Sequence, residues 1–181
     1  INIQTIENVS YHHMATSFVR GKWGNSEKCH TSMLLAKCCH DMDIMMWLMS
    51  ETKPVKIASF GNQFQFVPGK KPEGAGTRCL KDCPYVDTCV FSSYLNYILQ
   101  PDRWQQYIWK CIEGEENVDG KRREESMATD NPYGRCVWDC NRDTNVESQA
   151  VIVSFCHSGI DGQPCQNGQI KLGCNLIQMA L

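Results

Sequence analysis

Apolar positions recur at intervals of three and four through MLLAKCCHDMDIMMWLM, residues 33–49. That spacing places side chains on one face of a helix. Thr31 or Ser32 is positioned to cap it, and the helix is expected to end before Pro54. Residues 1–19 instead alternate, with Val9, Tyr11, Ala15 and Val19 on one side and His12, Met14 and Phe18 on the other. Alternation of period two predicts a long first strand. RGKWGNSE (20–27) breaks the pattern with two glycines and reads as a loop. PVKIASFGNQFQF (54–66) and SQAVIVSFCHSG (148–159) predict further strands, and QIKLGCNLIQMAL (169–181) a last one.

Between these, the pattern weakens. VPGKKPEGAG (67–76) is a loop by composition, and RCLKDCPYVDTCVF (78–91) carries too many turn residues for regular structure. Residues 92–112 read as helical with an interruption at Pro101, and 113–134 as a polar surface stretch. The order predicts an α+β (α/β) fold, an open, mainly antiparallel β-sheet with helices packed on one face, because no convincing crossover helix links the later strands. One domain is expected over 1–181, with 67–147 as an irregular cysteine-containing insertion. The strand-like opening at Ile1 suggests a piece of a longer chain.

The chain is 42% apolar and 21% charged with a net charge of −2, which offers no electrostatic footing for nucleic acid or an anionic membrane. No apolar run approaches the roughly 20 residues that span a bilayer. Neither kind of partner is expected. Twelve cysteines, two of them adjacent at Cys38-Cys39 within the predicted helix, suit buried thiols in a reducing, cytoplasmic setting.

Chemistry concentrates in two places. On the predicted helix, Lys37, His40, Asp43, Ile44 and Trp47 share one side, opposite an apolar face of Leu34, Leu35, Cys38, Met42, Met45 and Met49. A histidine beside carboxylates (here Asp41 and Asp43) is a competent general acid/base, although surface solvation explains the same charges. In the loop after the first strand, Arg20 offers a fork of donors and Trp23 a flat surface for a sugar ring.

The second place is the cysteine segment. Cys79, Cys83 and Cys89, with Cys136 or Cys140 later, supply enough thiolates for a tetrahedral structural Zn²⁺, although the five-residue gap before Cys89 is wider than usual. Buried free thiols, disulfides and an iron–sulfur cluster stand as alternatives, as does a competing set of Cys29 and His30 with Cys38, Cys39 and His40.

SFVRGKW, LLAKCCHDMDIMMWL, PVKIASFG, EGAGTRCLKDCP with the following DTC, YGRCVW and SQAVIVSF together resemble the C-terminal domain of the Gfo/Idh/MocA oxidoreductases, relatives of glucose–fructose oxidoreductase and inositol dehydrogenase. The resemblance covers roughly residues 6–157. It implies a substrate-binding and oligomerisation domain that works with an N-terminal Rossmann domain carrying NAD or NADP, on a carbohydrate-like substrate. It places His40 as general acid/base and makes a homo-oligomer the expected state. Many members carry an aspartate four residues before the histidine; here that position is Ala36, with Lys37 beside it. No G-x-G-x-x-G occurs in the chain, so no dinucleotide is expected to bind to it alone. A non-catalytic module of the same fold, or an NAD-assisted glycosidase or epimerase, is equally compatible with the histidine.

Overall fold

A computed structural model describes residues 3–100, 105–116, 118–140, 146–157 and 175–180. It divides the chain into two compact units: the first takes residues 1–9, 31–63 and 146–181, the second 10–30 and 64–145. The segment expected as an insertion thus falls, with 10–30, almost wholly within the second unit.

The first unit is built on a four-stranded sheet. Strand β1 is Gln4–Asn8, β2 Thr52–Asn62, β3 Ser148–His157 and β4 Asn175–Ala180, in the spatial order β1-β4-β3-β2. The pairs β2/β3 and β3/β4 are antiparallel, and only β1/β4 is parallel. The mixed architecture with an open, mainly antiparallel sheet therefore stands. Ile57 faces Val153 and Ser59 faces Val151 across β2/β3, with a register shift between Pro54 and Lys56. A proline has no N–H to give the ladder, so such an irregularity falls naturally beside Pro54 on an edge strand. Along β3, Val151, Val153 and Phe155 are buried at period two.

Helix α3, Met33–Leu48, belongs to the same unit and packs on β1. Ser32 caps it, its hydroxyl accepting from the Leu35 N–H. Met33, Cys38 and Met45 form its buried side, close to the apolar face expected from spacing, except that Leu35 is exposed.

The first strand is shorter than its pattern suggests. It ends at Asn8, and the chain turns at Ser10 into the short helix α1, Tyr11–His13, which continues as the π-helical segment Met14–Arg20. The Ser10 hydroxyl accepts from the His13 N–H and the Ser10 carbonyl from the Met14 N–H. A serine that satisfies the first free helix donors outweighs a weak alternation in the residues after it. Because π-helical turns shift the stagger, Met14, Ala15, Phe18 and Val19 all reach the interior.

The rest of the second unit consists of short helices joined by turns. These are α2 (Ser26–Cys29), α4 (Gln105–Ile108), α5 (Gly120–Ala128) and α6 (Val137–Cys140), with a π-helical turn at Tyr94–Ile98. Tyr97, Ile108, Trp109, Ile112, Met127 and Tyr133 form one core cluster. Edge-to-face contacts link Phe66 to Phe91 and Phe91 to Trp138, at 5.1 and 5.5 Å between ring centres, a favoured geometry for aromatic rings. The polar stretch 113–134, expected as irregular surface, contains α5, capped by the Asp119 carboxylate on the Arg122 N–H. Among the described residues, no helix is long and apolar enough to cross a membrane.

Candidate functional site

The helix stripe anticipated on α3 is present. His40 and Asp43 are exposed, Lys37 is half-buried, and Trp47 is 73% exposed with Ile44 beside it. Among the described residues no ion pair joins His40 to Asp41 or Asp43. On the opposite side, burial pushes the Cys38 thiol up to about 11, helped by the negative charges of Asp41 and Glu7. Cys38 is an inert packing group, not a nucleophile. Large apolar groups in water beside an ionisable stripe mark a surface suited to a partner.

Arg20 and Trp23 lie elsewhere, in the second unit. Trp23 is half-buried in a 3-10 turn, with the Lys22 ammonium 4.5 Å from its ring centre. Arg20 ends the π-helical segment and is 2% exposed. Its Nε donates to the Arg135 carbonyl at 2.7 Å, one terminal nitrogen to the Tyr97 hydroxyl at 3.5 Å, and the other to Cys79 Sγ at 3.4 Å. The Tyr97 hydroxyl in turn shares a 2.8 Å hydrogen bond with Thr16. Burial alone disfavours the guanidinium charge, but the Tyr97 oxygen and the sulfurs of Cys79 and Cys140 more than offset it, so the proton is held even more firmly than usual. Among the described residues, no carboxylate pairs with Arg20. A buried guanidinium without a carboxylate is unusual, because an unpaired buried charge is costly.

The cysteines expected as metal ligands gather around this arginine. Cys79, Cys83, Cys89 and Cys136 line one cavity of about 10 Å³ together with Arg20 and Trp138. Two chain segments are stapled side by side to make it. An antiparallel bridge joins Arg78 to Arg135, with the Cys79 N–H donating to the Gly134 carbonyl and the Cys136 N–H to the Thr77 carbonyl. Position 134 requires glycine, since a Cβ there would collide with the Met127 carbonyl. The turn leading to Cys83 is fixed by Asp82, whose carboxylate accepts from the Arg78 N–H and the Thr77 hydroxyl, both at 2.8 Å. These hydrogen bonds, the backbone one from Arg78 first, hold its carboxyl down to about 2. The Lys71 ammonium meets Asp139 at 2.6 Å and so ties down α6, which lies between Cys136 and Cys140.

All five of these cysteines, and Cys29, Cys38, Cys39 and Cys111, are free thiols, whereas Cys156 is disulfide-bonded. Burial pushes the Cys136 thiol up to about 11 and raises those of Cys89 and Cys140. As the side chains stand, no group of three or more Cys, His, Asp or Glu among the described residues is set to hold a metal ion. Cys29 and His30 belong to the second unit, and Cys38, Cys39 and His40 to the first.

Trp138 and Tyr97, which wall and polarise the cysteine nest, were not singled out from the sequence. Both are buried aromatics distant along the chain from Arg20. The YGRCVW motif was the one signal that pointed to Trp138.

No family model, curated protein or solved structure matches this chain.

Proposed function

We propose that this chain is the substrate-binding and oligomerisation domain of an NAD(P)-dependent oxidoreductase acting on a sugar, polyol or related hydroxy compound. In this reading His40 is the general acid/base, Lys37 supplies the polar contact beside it in the catalytic step, and Asp43 helps to hold the substrate hydroxyls. Hydride transfer needs a dinucleotide that the chain has no Gly-rich turn to bind. A Rossmann domain therefore supplies NAD or NADP and covers the α3 stripe. The observation that carries the reading is that stripe: an exposed histidine, free of internal partners, flanked by an exposed tryptophan and isoleucine on a helix whose other side is buried. Such a surface gains free energy when an apolar partner covers it.

The test is turnover. The chain is joined to the proposed dinucleotide-binding domain and assayed with NAD⁺ and NADP⁺ against a panel of sugars and polyols. Formation of reduced nicotinamide with at least one of them is the expected result. A folded two-domain protein that reduces neither cofactor with any substrate overturns the oxidoreductase reading. The second reading, a non-catalytic module of the same fold, draws on Ala36, which stands where the resembled family often has an aspartate.

Self-association follows from the edge of the sheet. Strand β2 lies at one edge with Val55, Ile57 and Phe60 exposed, Ile57 by 69%. A long edge strand with unpaired backbone groups and apolar side chains normally needs a cover. The chain is expected to sediment as a dimer or larger assembly at micromolar concentration, and Ile57→Lys with Phe60→Lys to shift it to monomer. A monomeric wild-type protein under those conditions counts against this surface.

A further inference from the structure

We propose that Cys79, Cys83, Cys89 and Cys136 bind one Zn²⁺ as a tetrathiolate beside the buried guanidinium of Arg20. The proposal does not depend on the oxidoreductase reading.

Three observations converge on the same small space. The first is the cavity itself, about 10 Å³, lined by four free cysteines from two segments that the Arg78/Arg135 bridge holds together. That volume is about the least that holds a single water, and a water there would need polar partners. The lining, beyond the sulfurs and Arg20, is largely Val86, Phe91, Val137 and Trp138.

The second is Arg20. It is almost fully buried and sends one of its three hydrogen bonds to Cys79 Sγ, and no carboxylate among the described residues pairs with it. Four thiolates around a divalent ion carry a net charge of −2, which gives the guanidinium the anion it lacks. The third is Trp138, 8% exposed on the wall of the same cavity, whose buried indole N–H has no acceptor among the described residues. Metal-bound thiolate sulfur accepts N–H hydrogen bonds, and such outer partners are a regular part of metal sites.

Neutral thiol packing explains the cavity but gives the guanidinium, whose hydrogen bonds go to a carbonyl, a phenol and a sulfur, no formal counter-charge, and gives the indole no acceptor among the described residues. A disulfide brings no negative charge and fails in the same way. Thiolate ligands select zinc among the common divalent ions. Binding removes one proton from each of the four thiols, and those protons leave to solvent.

As they stand the four sulfurs are not set around an ion, so coordination requires rotation about χ1, which carries each among three staggered positions on a fixed backbone. The fifth nearby thiol, Cys140, is occupied as a donor to the Cys136 carbonyl at 3.1 Å, which leaves four. A groove of about 610 Å³, lined by Lys81, Asp87 and Glu124 among others, shares Cys79, Cys83 and Val86 with the cavity. The consequence is structural: the ion would crosslink the turn-rich segment 79–89 to Cys136, the residue before α6, in a unit whose helices are too short to hold themselves.

The experiment measures metal in the full chain purified from zinc-replete medium without chelator. About one zinc per chain is expected. Titration with a mercurial should release it as four thiols react, and cobalt exchanged into the site should show thiolate-to-metal charge transfer and the intense visible bands of a tetrahedral centre. Cys83→Ser and Cys89→Ser should each lose most of the zinc, while Cys111→Ser, an exposed thiol outside the nest, keeps it. If the serine variants do not fold, the cobalt spectrum of the unaltered chain decides. A folded, metal-free chain with free or disulfide-paired cysteines, or one that holds iron and sulfide instead, overturns the proposal. None of these readouts uses turnover, so a failure of the enzymatic reading is separately visible.

Discussion

On the proposed oxidoreductase function, His40→Ala is expected to lower kcat by on the order of 100-fold or more, with a smaller change in KM, because removing a general acid/base costs about that much of the transition-state stabilisation. The argument begins with exposure. His40 lies on the outward side of α3, away from the buried Met33, Cys38 and Met45. Its removal therefore takes nothing from the core, and alanine is at least as good a helix former. The free energy of unfolding should change by no more than an ordinary surface substitution does, about 0.5 kcal/mol. A large loss of turnover without loss of stability separates chemistry from structure. Lys37→Ala, one turn earlier on the same stripe, should act mainly on KM if the ammonium only holds a substrate hydroxyl. Unchanged turnover in His40→Ala would remove this imidazole from the mechanism, and with it the main support for reading α3 as a catalytic helix.

How far the sequence reveals such a site depends on how local the site is. The α3 stripe was legible because its residues are neighbours along one helix, where spacing of three and four maps directly onto a face. Strands β2 and β3 were legible for the same reason, at period two. The first strand was misjudged because Ser10 competes as a helix cap, and alternation over a few residues does not outweigh that local hydrogen bond. Helix α5 was hidden differently. In GKRREESMA only Met127 among the large side chains is buried, with Ser126 beside it, so no apolar period announces it. The helix rests on good helix formers, the Asp119 cap and a bidentate pair from Arg122 to Glu115 at 2.8 and 2.9 Å.

The arginine was the hardest to see. In the loop it was expected to open, Arg20 reads as a fork of donors for a substrate, and nothing nearby along the chain signals that it is buried. Its partners Cys79, Tyr97 and Arg135 come from 59, 77 and 115 residues away. Only the folded second unit brings them together. The cysteine spacing did suggest that Cys79, Cys83, Cys89 and Cys136 belong to one place, but not that a guanidinium sits among them.

Arg20→Ala should destabilise the second unit by about 3 kcal/mol, through a cavity left by the stem and a half-buried Arg135 carbonyl without its donor. The side chain also lies 5.8 Å from the Tyr97 ring centre, so the aromatic loses a cationic neighbour as well as a hydrogen bond to its hydroxyl. Arg20→Lys keeps the charge but not the planar fork, and one ammonium cannot reach a carbonyl, a phenol and a thiol in the three directions the guanidinium serves. It should recover only part of the loss. Arg20→Met refills most of the volume without any donor, so the difference between Met and Ala measures the cavity, and the difference between Met and wild type measures the hydrogen bonds and charge. Denaturant unfolding followed by tryptophan fluorescence reads the series, with amide exchange at Cys79 and Cys136 as the local probe of the bridge between their segments. An Arg20→Ala protein as stable as wild type would mean that the guanidinium is solvated, and the cysteine nest would then have no buried cation to balance.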